Sequence, residues 1–138
     1  MDLRLDERQL CDIQGRLFEN SVKSGFDSPS FIRTFMTSST AAHLDDVYDR
    51  LQWMGEEYLL EELDDEAGGL KRAGELYDME MMYWTGYLYR YWHYLTGELS
   101  RDIHAQADED RMHTSYAGFH TLDPDMAIER LKEQASQS

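Results

Sequence analysis

With 138 residues, 41% of them hydrophobic and 30% charged, the chain is long enough for one core and has the composition of a folded protein, not a disordered one. Its 28 acidic residues against 13 basic ones give a net charge of −15, which argues against binding DNA, RNA or anionic lipid and favours a basic protein partner. Nine glycines and two prolines are too few for the turns of a β-sandwich, a single cysteine cannot form an internal disulfide, and no run of about eighteen apolar residues is present to cross a bilayer.

The first predicted helix runs from Asp6 to Ser24, with Leu10, Ile13, Leu17 and Phe18 at helical spacing and Gly25 as its stop. Ser28-Pro29 reads as an N-cap followed by proline at the first helical position, opening a short helix that carries Phe31, Ile32, Phe35 and Met36. Ser38, Ser39 and Thr40 offer the next cap. One long helix is expected from Ala41 to Glu66, bent at Gly55, with an apolar stripe of Leu44, Val47, Tyr48, Leu51, Met54, Tyr58 and Leu59. Gly68-Gly69 ends it. Asp78 caps an aromatic helix from Met79 to Thr96, stopped by Gly97. Ser100 caps a short helix through Ala107, another turn or helix covers Glu109 to Phe119, and Asp123-Pro124 opens the last one, whose tail from about residue 134 to 138 frays. No segment alternates with a period of two. The expectation is an all-α, single-domain bundle of about six or seven helices around a central aromatic helix.

That helix contains YWTGYLYRYWHYLTG, with five tyrosines and two tryptophans between Tyr83 and Gly97. At 100° per residue, Trp84, Tyr87, Leu88, Tyr91, Trp92 and Leu95 form one broad face, and Gly86 permits close approach of a neighbour. A helix apolar nearly all round belongs in the middle of a core, provided each O–H and N–H finds a partner. Arg90 stands out as a cation among rings, suited to stacking on one of them or pairing with a core carboxylate. The functional alternative is an aromatic pocket in which Tyr87, Arg90, Tyr91, His93 and His120 gather around a small-molecule ligand.

Motifs with catalytic or cofactor chemistry are missing. The sequence has no Glu-x-x-His pair for a di-iron bundle, no His-Glu-x-x-His, no Gly-x-Ser-x-Gly, no Walker loop and no Gly-x-Gly-x-x-Gly. Asp110-x-x-His113 and His120-x-x-Asp123 have one-turn spacing but are isolated pairs, so no metal and no cofactor is expected. Cys11 sits between Leu10 and Ile13 on an apolar helix face, the place of an inert thiol. The segment LTGELSRDIHAQA outlines a helical hairpin, and its second helix lacks the basic patch that DNA reading needs. An enzymatic role is therefore disfavoured.

The strongest functional signal is acidic. Between Asp45 and Glu66 ten acids face a single base, Arg50. Glu57/Glu61 and Glu62/Glu66 are like-charge pairs four apart, each weakening a helix by a few tenths of a kcal/mol. The latter residues also lie toward the negative end of the helix dipole. Such local conflict marks either a solvated face or a docking face. The docking reading assigns Asp45, Asp49, Glu57, Glu61, Glu62 and Asp65 to a basic partner, as in an antitoxin-like or regulatory inhibitor. The opening residues are charged, without an apolar signal-peptide core, and a cytoplasmic location is expected. Self-association is left open.

Overall fold

The computed structural model describes residues 1–47 and 49–137. Among them there are eight α-helices: α1 Leu5–Lys23, α2 Ser28–Met36, α3 Ser39–Asp45, α4 Glu56–Glu66, α5 Met79–Thr96, α6 Ser100–Gln106, α7 Glu109–Phe119 and α8 Pro124–Ser136. A short 3-10 helix, Arg50–Trp53, lies between α3 and α4, and the described residues contain no strand beyond an isolated bridge between Phe26 and Arg72. The all-α expectation holds, and the helix count rises to eight because one expected helix is divided.

The divided helix is the stretch from Ala41 to Glu66. The chain leaves helical geometry at Asp46, which has ψ 156°, and resumes as a 3-10 turn capped by the Asp49 side chain, which accepts from the Leu51 N–H at 2.9 Å. Gln52 then donates to the carbonyls of Leu44 and Asp46, giving α3's terminal carbonyls the partners that a continuing helix would have supplied. Gly55 is the N-cap of α4 and not a bend within a helix. Tyr48, placed in the expected apolar stripe, lies outside the described residues. Val47 and Tyr58 of that stripe are exposed, whereas Leu44, Leu51 and Leu59 are buried.

The other boundaries follow local chemistry. Asp27 caps α2, its carboxylate accepting from Ser30 N–H at 3.0 Å, so the cap is one residue earlier than the expected Ser28. Ser38 caps α3 and Asp108 caps α7 in the same way. Gly97 ends α5 with φ 78°, a left-handed conformation that a side chain would strain.

α1 and α5 form the main interface, and α4, α6, α7 and α8 surround them. Two glycines set their separation. A Cβ on Gly86 would lie 2.5 Å from the Gln14 carbonyl oxygen, and one on Gly15 would lie 2.8 Å from the Tyr83 ring. Gln14 donates across the same crossing to the Gly86 carbonyl at 2.9 Å. Around it Phe18 meets Phe31 and Phe35 edge-on, at centroid separations of 5.2 and 5.3 Å.

α5 is central, yet its most buried side is rotated from the expected one. Met81, Met82, Leu88, Tyr89, Arg90, Tyr91 and Trp92 are buried, while Trp84, Tyr87 and Leu95 are half-buried. Tyr89, not part of the expected face, is fully enclosed because its hydroxyl donates to the Ala107 carbonyl at 2.6 Å, which closes the α6–α7 connection over it.

Candidate functional site

Arg90 occupies the centre of the molecule with no solvent exposure. Its Nε donates to Gln14 Oε1 at 2.8 Å, Nη1 to Asp45 Oδ1 at 2.7 Å and Nη2 to Ser100 Oγ at 3.3 Å. Asp45, its side chain only 4% exposed, also accepts from the Ser100 N–H and hydroxyl, each at 2.8 Å. Four elements are thereby tied together: α1 through Gln14, α3 through Asp45, α5 through Arg90 and α6 through Ser100. Arg90 is the cation paired with a core carboxylate, and its guanidinium faces the protein interior. Asp45, grouped in the sequence with the partner-facing acids, is turned inward to meet it.

The remaining members of the expected aromatic pocket are dispersed. Tyr91 donates through its hydroxyl to Asp125 of α8. Tyr87 is half-buried with its ring 6.4 Å from that of Tyr91. His93 stays beside the Arg90–Asp45 pair, its Nδ1 3.8 Å from Asp45 Oδ1 and 2.7 Å from the Glu98 carbonyl. Because a carbonyl accepts only, that nitrogen carries a proton. His120 is exposed at the end of α7, stacked on Tyr116 at 4.3 Å with Nδ1 2.7 Å from the Tyr116 carbonyl. Tyr87, Arg90, Tyr91, His93 and His120 thus do not converge on one space.

Burial pushes the Cys11 thiol up to about 12, with Arg90 partly opposing it, so the sulfur is protonated at neutral pH. Glu98, at the turn between α5 and α6, shows the reverse. Burial opposes its charge, yet the hydrogen bonds from Lys132, Trp92 and Gln106 outweigh that and hold its carboxyl down at about 2.

The ten acids from Asp45 to Glu66 separate into two groups. Asp45 serves Arg90, Asp49 caps the 3-10 helix, Asp64 accepts from Leu70 N–H at 2.7 Å, and Glu66 accepts from the backbone of Ser39 and Thr40 at the start of α3. Glu56 lies 4.0 Å from Arg16. Asp46, Glu57, Glu61, Glu62 and Asp65 are exposed and make no side-chain hydrogen bond or ion pair within the described residues. Four of these five are on α4, which buries Leu59 and Leu63 and turns its acids outward.

A cleft of about 490 Å³ opens between the start of α1, the segment after α3 and the end of α5. Its walls include Glu7, Asp46, Trp53, His93 and Tyr94. His43, Asp46 and Asp49 bring one ligand atom each to within 4.8 Å of one another beside the segment after α3. The contact of His43 Nδ1 with Asp49 Oδ2 at 2.8 Å is itself a hydrogen bond. Among the described residues this is where metal-ligand spacing occurs, and not at Asp110, His113, His120 and Asp123. His43, Asp46 and Asp49 stand three apart, a spacing that also places residues on one side of a helix, so the one-helix reading gave no reason to expect the break at Asp46 that sets Asp46 and Trp53 around one cleft.

No protein-family model matches the chain, and no curated protein or solved structure is significantly similar to it.

Proposed function

We propose that the protein is an interaction module that captures a basic protein partner on the outer face of α4, in the manner of an antitoxin-like or regulatory inhibitor acting in the cytoplasm. The observation that supports this reading is the set Glu57, Glu61, Glu62 and Asp65: four exposed carboxylates on one helix with no cation opposite them within the described residues. Glu57 stands in the first turn of α4, where the dipole favours an acid, but folding gains nothing evident from the other three. Glu57 and Glu61 repel at one-turn spacing, and Glu62 and Asp65 stand near the negative end of the helix dipole, where no basic residue occupies the last turn. A basic surface supplies the countercharge that the chain withholds. Asp49, assigned to the same face from sequence, is half-buried and engaged as a cap, so it contributes less.

Electrostatic steering makes the reading testable. The partner's association rate falls steeply as salt shortens the screening length to about 8–10 Å. Replacing Glu57, Glu61 and Glu62 by Gln and Asp65 by Asn keeps shape and removes four charges. The partner is recovered by pull-down from the native cytosol and its kinetics are measured by surface plasmon resonance. Slower association with a shallower salt dependence is the expected result. Unchanged rate and salt dependence in a folded variant would reduce the α4 acids to a solvated face.

A further inference from the structure

We infer that the cleft beside Trp53 is a receptor for a guanidinium group, taking one arginine side chain of the basic partner. The inference rests on the proposed function and adds a second, chemically distinct contact to the α4 face. It begins with exposed apolar groups. Trp53 is 83% exposed and Val47 75% exposed, and Leu99, 47% exposed, lines the same cleft. An indole carries one of the largest apolar surfaces of any side chain, and leaving it in water forgoes the gain of its burial. The 3-10 helix nevertheless buries Leu51 and directs Trp53 outward to the cleft. Exposed apolar residues gathered around one cavity mark a binding surface in a way that scattered ones do not.

The polar lining specifies the occupant. Among the described residues the cleft contains the carboxylates of Asp6, Glu7, Asp45 and Asp46 against the single cation Arg4. Arg4 pairs with Asp6 at 3.2 Å and lies 3.8 Å from Glu7, and Arg90 balances Asp45 from inside the core. Asp46 makes no side-chain hydrogen bond or ion pair within the described residues and gives the cleft an uncompensated negative charge. His93 also lines the cleft. Aromatic faces combined with carboxylate acceptors are the surroundings that a planar, five-donor guanidinium prefers, through stacking and forked hydrogen bonds. The same charge excludes phosphate. It also disfavours a second copy of this chain, which would bring another net charge of −15. The chain passes from Trp53 through Met54 and Gly55 straight into α4, so the cleft mouth and the acidic helix are consecutive segments.

Indole N–H resonances of the 15N-labelled protein report on the three tryptophans separately, with Nα-acetyl-arginine amide as the probe and the uncharged Nα-acetyl-citrulline amide as its control. The Trp53 resonance is expected to move saturably with the arginine probe and not with citrulline, while Trp92, sealed in the core, stays in place. Asp46→Asn is expected to weaken the response at least threefold. Trp53→Ala, which removes an exposed side chain and leaves the melting temperature unchanged, is expected to lower the partner's affinity at least tenfold. The quadruple amide variant of α4 should bind the arginine probe like the wild type, so failure of the α4 reading leaves this titration intact. Conversely, a silent Trp53 resonance alongside a charge-dependent partner would remove the cleft and leave the α4 face standing. Equal responses to arginine and citrulline would overturn the guanidinium assignment. A Trp53 shift that follows protein concentration alone would show self-association instead and overturn it as well.

Discussion

Arg90→Met removes a cation from the fully buried centre and replaces it with a side chain of similar length. The consequence falls on Asp45. Its carboxylate is 4% exposed and loses a charge-assisted bond of 2.7 Å, retaining the Ser100 N–H and hydroxyl with His93 Nδ1 3.8 Å away. Gln14 Oε1 loses its 2.8 Å donor at the same time. Breaking one side of a buried pair costs about 3–5 kcal/mol because the other charge is left uncompensated. For a chain of this length the unfolding entropy is about 0.3 kcal/mol/K, so the melting temperature is expected to drop by about 10–17 °C. Asp45→Asn leaves the guanidinium without its countercharge and should cost a comparable amount. The double variant buries no charge at this position and is expected to recover at least ~2 kcal/mol relative to the sum of the two single losses. Urea unfolding at pH 7, followed by tryptophan fluorescence and far-ultraviolet circular dichroism, gives all three values. A loss below about 1 kcal/mol for Arg90→Met with an unchanged urea m-value would refute the network as the tie between α1, α3, α5 and α6.

Gly86→Ala should cost at least ~2 kcal/mol by urea unfolding, because its Cβ would meet the Gln14 backbone oxygen at 2.5 Å, while Gly118→Ala on α7, with nothing within 4 Å, should be neutral or stabilising by up to ~1 kcal/mol. Acid sensitivity should localise at Glu98, whose folded carboxyl stands at about 2 against an ordinary 4.5, so the unfolded chain takes up the proton first. Its stabilisation is complete above about pH 5 and is lost as pH falls from ~4.5 toward ~2; with its side chain 26% exposed and screened, about 1–2 kcal/mol is involved. Urea midpoints at pH 6 and pH 3 should accordingly differ less for Glu98→Gln than for the wild type.

The ends of α5 could be read from the sequence because their causes are local. Asp78 stands at the N-cap, although its side chain makes no capping bond, Gly97 adopts φ 78° after the last turn, and each signal lies at the boundary it marks. Residues 41 to 66 misled for a physical reason. Leu44, Leu51 and Leu59 all point into the core, and their spacing imitates one continuous apolar stripe. The break between them is made by side-chain bonds from Asp49 and Gln52, which propensity and periodicity do not register. Arg90 was legible as an anomaly but not as a partner of Asp45. The two are 45 positions apart, and nothing in the run LDDVYD distinguishes Asp45 from Asp46 until the fold sends one inward and leaves the other at the cleft.

That separation of neighbouring acids bears on why the chain is so acidic. Asp45, Asp49, Asp64 and Glu66 each hold a backbone N–H or the buried cation, and the structure would lose a cap or a tie without them. Their charge is explained by folding. The acids of α7 also have a folding rationale, since Glu109 and Asp110 stand in its first turn, where the dipole favours them, and Glu109 pairs with Arg33 at 2.7 Å. Glu57, Glu61, Glu62 and Asp65 have neither a partner nor, for the last two, a favourable place in the dipole. Solubility alone would be served by acids placed anywhere on the surface, including helix starts where they stabilise. On the proposed reading, an external cationic surface accounts for their concentration along one helix, next in the chain to an outward-facing tryptophan.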